Sequence, residues 1–488
     1  MIYLFKKISN MKNLLFKLSL LLCLVIGLSG CTGPKSDEKR YVRYEMHSSA
    51  AQPHIEAMER AMQIMRIKNC IDPVSWYYQG AIHWVPDTIV KNSLCDAYHT
   101  PADLREAWDN CTHTPSGKEK IHFLVWHRLY IYHFEKIVRA LSGYKDFALP
   151  YWGYTDFEVS HKRLHEKFRD PSSSLYESCR FDSLNRGYPV SGEIERALYL
   201  GKLFDCTDYR TFNLQINAAP HGAMHDYVGA GNDVSGTLQF KNPITGTVSN
   251  TGLMGWVPTA GFDPIFWMHH SNIDRIWQQW TNSRNGQMVT LEELKSAPWP
   301  YVFFDENGKR VEYTPEQVLE ILYTMDYDFD DTRVQPIKDQ PLKLKSLGQT
   351  VVGQSSTPIK VNDQITDAVT IKPRVGAKAK PVDRAIIEIV VSFTKVPRGV
   401  YEVYVNGDKA SPDITSESFA GFMTFFGSDH KMPGESCEKG CCRPLKNGRP
   451  TFTFEYEIPA SEKYEVFVYK YNGRHIGDLQ IETITVKH

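Results

Sequence analysis

The chain has 488 residues, with 56 Lys+Arg against 57 Asp+Glu and a formal charge of −1. That balance excludes a protein whose affinity rests on tracking phosphates, so no nucleic-acid partner is expected. With 42% apolar and 23% charged residues, the composition is that of water-soluble globular domains rather than a disordered chain, a coiled coil or a multi-span membrane protein. Histidine is the outlier. Of the 17 histidines, 14 lie before residue 271, a concentration solubility does not require, and it raises the hypothesis of a metal site.

Residues 1–30 read as a signal peptide. Lys6, Lys7 and Lys12 precede an apolar stretch from Leu18 to Leu28, too short to cross a hydrocarbon layer of roughly 30 Å as a helix. It ends in Leu28-Ser29-Gly30-Cys31, which resembles the bacterial lipobox and implies a lipid on the Cys31 thiol. An ordinary secretory signal followed by an unrelated cysteine is the other reading. Residues 31–52, polar and containing Gly33 and Pro34, would then be a tether. The expectation is a lipid-anchored protein of the bacterial cell envelope, outside the cytoplasm. Such a compartment permits disulfides: Cys70 with Cys95 and Cys179 with Cys206 are possible pairs, and Cys437, Cys441 and Cys442 form a separate cluster.

From 53 to 332 the apolar residues recur mostly at helical spacing, as in Phe123, His127, Tyr130, Ile131 and Phe134. A mainly α core, a helical bundle, is expected there. Residues 333–381 turn to Lys, Pro, Gln, Ser and Thr with few aromatics and read as a linker. From 382 to 488, short β-branched or aromatic runs at Ala385–Phe393, Val400–Asn406, Phe419–Phe426, Pro450–Ile458 and Tyr464–Tyr469 alternate with turn residues. They predict a small all-β antiparallel sandwich.

Within the α region His221-Gly-Ala-Met-His225 puts two imidazoles one helical turn apart on one face, where one metal can take both. Gly222 stands where a zinc peptidase needs Glu, which disfavours that chemistry. His161-Lys-Arg-Leu-His165 has the same spacing amid charged residues and reads as a solvated helix face. In Phe262-Asp-Pro-Ile-Phe-Trp-Met-His-His-Ser-Asn-Ile-Asp-Arg-Ile-Trp277, Asp274 lies one turn beyond His270 and can fix an imidazole tautomer or hold Arg275. An earlier block, Phe123 to Glu135, places His127 among aromatics.

Together these blocks resemble the tyrosinase and polyphenol oxidase (catechol oxidase) family of type 3 dinuclear copper proteins. The likeness rests on Trp126-His127-Arg128 followed by Phe134-Glu135, on the 221–225 pair, and on the stretch from Asp263 through His269, His270, Asn272 and Asp274 to Arg275. It implies two copper ions, Cu A and Cu B, with O2 as co-substrate. It carries His127 over as a ligand of the first copper and His221, His225 and His270 as ligands of the second, with His269 a non-ligating neighbour. Ser75 to His83 resembles the first-ligand segment. Cys111-Thr-His113 resembles the segment in which a Cys sulfur is thioether-bonded to the second ligand histidine. His122, five residues before His127, is the rival to His113. Ala148 to Trp152 resembles a core motif, and the stretches Pro298–Tyr301, Phe304–Lys309 and Tyr401–Asn406 resemble plant polyphenol oxidases, the last of them in their C-terminal domain.

The resemblance implies oxidation of o-diphenols to o-quinones by O2, with small phenolic substrates as partners. Val257 matches the gate position over the copper pocket. Gly222 replaces the Asn that the family associates with monophenol hydroxylation, so weak or absent hydroxylation is expected. An o-aminophenol oxidase, a tyrosinase with monophenolase activity and an oxygen-binding non-enzyme are the alternatives. The C-terminal β unit is expected either to cover the site, making the enzyme latent, or simply to pack against the core.

Overall fold

Helices with one or more fully buried faces build the site. The computed structural model describes residues 40–83, 121–192, 194–229, 239–241, 243, 246, 248–296, 299–334, 350–355, 357–362, 364–373, 383–428, 445–446, 449–471 and 477–488. Helix α1 (Gln52–Ile67) buries Ile55, Met58, Met62 and Met65, spaced three or four apart. The short α2 (Trp76–Ile82) is capped by Ser75, whose side chain accepts from the Tyr78 N–H. Helix α3 (Phe123–Ser142) is buried on all sides through its first 13 residues and stops at Gly143, whose φ of 70° ends the helix in the left-handed region. Then come α4 (Tyr209–Ile216), a widened turn over Asn217–Gly222, α5 (Ala223–Val228) and the long α6 (Ile265–Asn282).

A hairpin of β1 (Tyr301–Phe304) and β2 (Arg310–Tyr313) lies along α3, with Phe303 5.5 Å from Trp126 and stacked on His133 at 5.3 Å. The strands of the carboxyl-terminal unit are β3 (Val351–Ser355), β4 (Ile359–Lys360), β5 (Val369–Ile371), β6 (Arg384–Ser392), β7 (Tyr401–Val405), β8 (Phe419–Met423), β9 (Leu445–Lys446), β10 (Arg449–Pro459), β11 (Tyr464–Tyr469) and β12 (Gln480–Lys487). They form two antiparallel sheets, ordered β9-β10-β6-β12-β3 with β4 also on β12, and β8-β7-β11-β5. Ile387 pairs with Tyr456 and Val486, and Ile389 with Phe454 and Ile484. Ile387 and Ile389 join Val403, Val466 and Val468 in one apolar core shared by both sheets. A one-residue slip would turn that whole set outward, so the alternation fixes the register.

The stretch 333–381 is not all linker. Strands β3, β4 and β5 lie inside it and are integral to the sheets, so the β unit starts near Val351 rather than at 382. β3 and β5 are edge strands with one exposed face, which dilutes the apolar pattern composition relies on. β12 is a further strand beyond those expected, and it buries Ile481, Ile484 and Val486 among threonines.

Residues 42–488 form one unit. Within it, buried carboxylates of the β strands hold the helical core. Glu402 takes both Nε and Nη2 of Arg196 at 2.5 and 2.9 Å, and Glu455 takes Arg210 at 3.0 and 2.7 Å. Glu457 accepts from the Thr207 N–H and hydroxyl at 2.8 and 2.7 Å. Among the described residues no helix is long and apolar enough to cross a membrane.

Candidate metal centre

Two helices set the geometry. α3 and α6 lie side by side with Phe134 stacked on Trp267, centroids 3.5 Å apart, which brings His127 parallel to His270 at 4.3 Å. His83 follows α2 directly and lies 5.6 Å from His127. His221 closes the widened turn and His225 sits in α5, their rings 4.5 Å apart. The ligand atoms of His221, His225, His269 and His270 all lie within 4.8 Å of one another, as do those of His83, His127 and His270. All six residues are buried.

Hydrogen bonds decide which nitrogen faces inward. The Nδ1 of His83 bonds the Val257 carbonyl at 2.9 Å, that of His127 the Phe123 carbonyl at 2.7 Å, that of His221 the Asn217 carbonyl at 3.1 Å and that of His225 the Met254 carbonyl at 2.8 Å. A carbonyl oxygen only accepts, so each Nδ1 carries the hydrogen and each Nε2 presents its lone pair. Burial, reinforced by neighbouring imidazoles, holds His127, His225 and His270 well below the ordinary histidine range, and burial pushes His269 down to about 3. The rings are therefore neutral, the form that binds metal.

These residues fit a metal. The Nε2 atoms of His225 and His269 and both ring nitrogens of His270 are buried and make no hydrogen bond within the chain. Each such atom costs about 1–3 kcal/mol unless something takes its place as a partner. A cation on converging lone pairs removes that cost, and imidazole suits copper, zinc or iron.

Several sequence expectations find their places here. His113, with Cys111, lies outside the described residues, as does Cys31. The rival His122 is turned away: its Nδ1 bonds the Tyr301 hydroxyl and its Nε2 lies 3.2 Å from Ser296 Oγ. His269, set aside from the sequence, joins the four-histidine group, with its Nδ1 2.9 Å from the Tyr154 hydroxyl. The hydrogen bonds of Asp274 go neither to an imidazole nor to Arg275. Its carboxylate accepts from Arg43, Arg128 and Tyr327, while Arg275 reaches Asp156 and Asp331. Val257 is buried, and its carbonyl accepts from His83.

His161 and His165 are not on a helix face, because the chain turns there and the helix starts only at Glu166. Their rings gather instead around His47, at 6.1 and 5.8 Å. Cys179 and Cys206 are both free, buried thiols rather than a pair. Cys70 is disulfide-bonded, and the partner named for it, Cys95, lies outside the described residues.

One residue escaped the sequence reading. Phe426, just past β8, stacks on His225 at 4.1 Å and 12°, and meets His221 edge-on at 5.8 Å. The preceding Phe425 packs into the β core against Phe393 and Tyr401, while Phe426, in the turn that follows, meets the imidazoles.

Comparison with known proteins follows the same lines. Residues 73–197 and 182–283 match the family model described as the common central domain of tyrosinase. The tyrosinase HcTyr1 of Hahella sp. (strain CCB-MM4) is 25% identical over 428 residues, covering 76% of this chain and 82% of that protein. The chloroplastic polyphenol oxidase of Malus domestica is 26% identical over 474 residues, covering 87% of this chain and 74% of that one. Among solved structures, latent apple tyrosinase superposes with a TM-score of 0.61 at 19% identity, covering 93% of this chain and 98% of its own. Recombinant latent aurone synthase gives 0.62 at 21%, covering 93% and 90%. The two superpositions establish a shared fold.

Proposed function

We propose that this chain, whose residues 73–283 match the common central domain of tyrosinase, oxidises o-diphenols to o-quinones in preference to hydroxylating monophenols, and that its β unit keeps the site covered. Members of the family oxidise phenols with O2 at two copper ions. Copper bound here supplies the two-electron exchange between the phenol and O2. His221 and His225, with His270 and the adjacent His269, would hold one ion; His83 and His127 would serve the other, with His113 as its third ligand.

What the chain itself does is arrange and exclude. Four backbone carbonyls fix the imidazole tautomers in advance, so little reorganisation accompanies loading. The walls about the imidazoles are aromatic: Phe123 lies 4.5 Å from His221 and Phe266 4.2 Å from His270, a surrounding that excludes water and suits a flat phenolic ring. Position 222, directly after a ligand histidine, has no side chain with which to take a proton from a monophenol. A diphenol makes the smaller demand, since it needs only to lose two electrons and two protons.

The observation that carries the reading is the set of imidazoles with Nδ1 tied to carbonyls and lone pairs converging. Phe426 on His225 supports the cover. The test uses the copper-loaded full chain and its Phe426→Ala variant, each given a catechol and the matching monophenol while O2 uptake and quinone are followed. Catechol turnover should exceed monophenol turnover, and the variant should be the faster protein. Faster monophenol turnover refutes the substrate reading, and an unchanged variant refutes the cover. The lipid anchor at Cys31 is a separate proposal, resting on Leu28-Ser29-Gly30-Cys31. Mass spectrometry of the mature amino-terminal peptide tests it, and an unmodified Cys31 thiol refutes it.

A further inference from the structure

The loop that carries Phe426 is seated on a position that lacks a side chain. Thr424, buried between Met423 and Phe425, donates its hydroxyl to the Ala218 carbonyl at 2.7 Å in the turn that leads to His221. A Cβ on Gly222 would stand 2.8 Å from that same Thr424 Oγ1, 3.1 Å from the Asn217 carbonyl oxygen and 3.3 Å from Phe426 Cβ. Gly222 has no left-handed backbone need for glycine, because its φ of −61° is ordinary helix. Close approach accounts for a glycine here, and the nearest atom, the Thr424 hydroxyl, comes from the β-unit loop.

We infer that Gly222 is the docking notch of the cover: its missing side chain admits Thr424, and Thr424 in turn holds Phe426 over His225. The inference rests on the reading of Phe426 as a cover and adds where the cover is gripped. It joins two properties at one residue. Any side chain added at 222 that could help position a phenol must also push the β-unit loop outward. A phenol-positioning group at 222 and a closed β unit are therefore mutually exclusive in this chain.

Amide hydrogen exchange of residues 421–428 in the copper-free full chain reads the grip without any turnover, and catechol oxidation by the copper-loaded full chain reads its effect. Thr424→Leu crowds the notch from the β side without altering the ligand helix. It should speed exchange of 421–428 and raise catechol turnover, each roughly tenfold, the scale of an overpacked contact. Gly222→Ala should speed exchange by a similar factor. In a Thr424→Ala background, where the clashing oxygen is gone, adding Gly222→Ala should change exchange by less than about twofold, a non-additivity expected only of touching residues.

Phe426→Ala separates the two ideas. If it leaves turnover unchanged, the cover itself is wrong. If it raises turnover while Thr424→Leu and Gly222→Ala leave both exchange and turnover at the wild-type level, the cover stands and the notch is overturned. Should Gly222→Ala speed exchange equally with and without the Thr424 hydroxyl, the notch is overturned as well. Poor folding of Gly222→Ala alone, relieved by Thr424→Ala, supports it.

Discussion

Neutralising Asp274 tests how the two ligand-bearing helices are locked together. Its carboxylate, only 3% exposed, accepts from Arg43 at 2.9 Å, from Arg128 at 2.5 Å and from the Tyr327 hydroxyl at 2.5 Å. Arg43 also reaches Glu135 at 2.9 Å, so Asp274 and Glu135 together balance two fully buried guanidiniums. Asp274→Asn keeps the shape and removes one of the two charges. Arg128 then faces at most a neutral amide oxygen in place of the carboxylate, beside Gln278, 3.3 Å away, and the face of Trp277 at 3.7 Å. Stripping one partner from a buried ionic network costs about 3–5 kcal/mol.

At about 2.1 cal/mol/K per residue, unfolding the unit that spans residues 42–488 carries an entropy near 0.9 kcal/mol/K, so the melting temperature should fall by roughly 3–5 °C. Calorimetry on the copper-free protein is the assay, with Tyr327→Phe as the comparison. That variant loses one hydrogen bond, about 1 kcal/mol, and should shift melting by about 1 °C. Arg128 adjoins His127, and Asp274 lies one turn from His270, so Asp274→Asn should also weaken copper binding by roughly 10–100-fold. A melting shift no larger than that of Tyr327→Phe would refute the network as the lock between α3 and α6.

Further outcomes follow from other parts of the molecule. His225→Ala removes a donor from the four-histidine group but none from the group of His83, His127 and His270; metal analysis should find the copper content falling toward one ion per chain, and two ions retained would refute the assignment. Arg196→Met takes the cation from the buried Glu402 carboxylate at the boundary between core and β unit and leaves the Tyr404 hydroxyl as a neutral donor. The cost, about 2–5 kcal/mol, should loosen the β unit and raise catechol turnover of the full chain, and an unchanged rate would count against that contact holding the cover. Burial pushes His122 down from 6.5 to about 4. Below pH 6.5 the unfolded chain accepts a proton that the folded one refuses, so stability present above that pH is lost as pH falls toward 4, by about 1.4 kcal/mol per unit. His122→Phe should flatten the dependence of melting temperature on pH across that window, whatever its effect at neutral pH.

The amino-acid order by itself determined what is local. His221 and His225 are four apart, and His269 and His270 open a helix rich in aromatics, so spacing alone placed them as neighbours. The same was true of the strands from Arg384 to Tyr469, whose alternation is periodic and whose turns are marked. Where elements were edge strands, as at Val351–Ser355 and Val369–Ile371, the exposed face hid them in a polar stretch.

Only the tertiary structure decided the rest. His161 and His165 have the spacing of His221 and His225, yet their chain turns instead of coiling, and they meet His47 rather than one another's ligand face. His122 stands as near to His127 in sequence as a ligand would, but Tyr301 and Ser296, more than 170 residues away in the chain, engage both its nitrogens. Asp274 found its partners in Arg43 and Arg128, and Phe426 is indistinguishable in sequence from Phe422 and Phe425, which pack within the β unit. Which of three phenylalanines meets a histidine, and which glycine receives the threonine beside it, depends on how the helical core and the β unit meet. Local periodicity carries no record of that meeting, because it constrains which face an element presents and not what arrives to cover it.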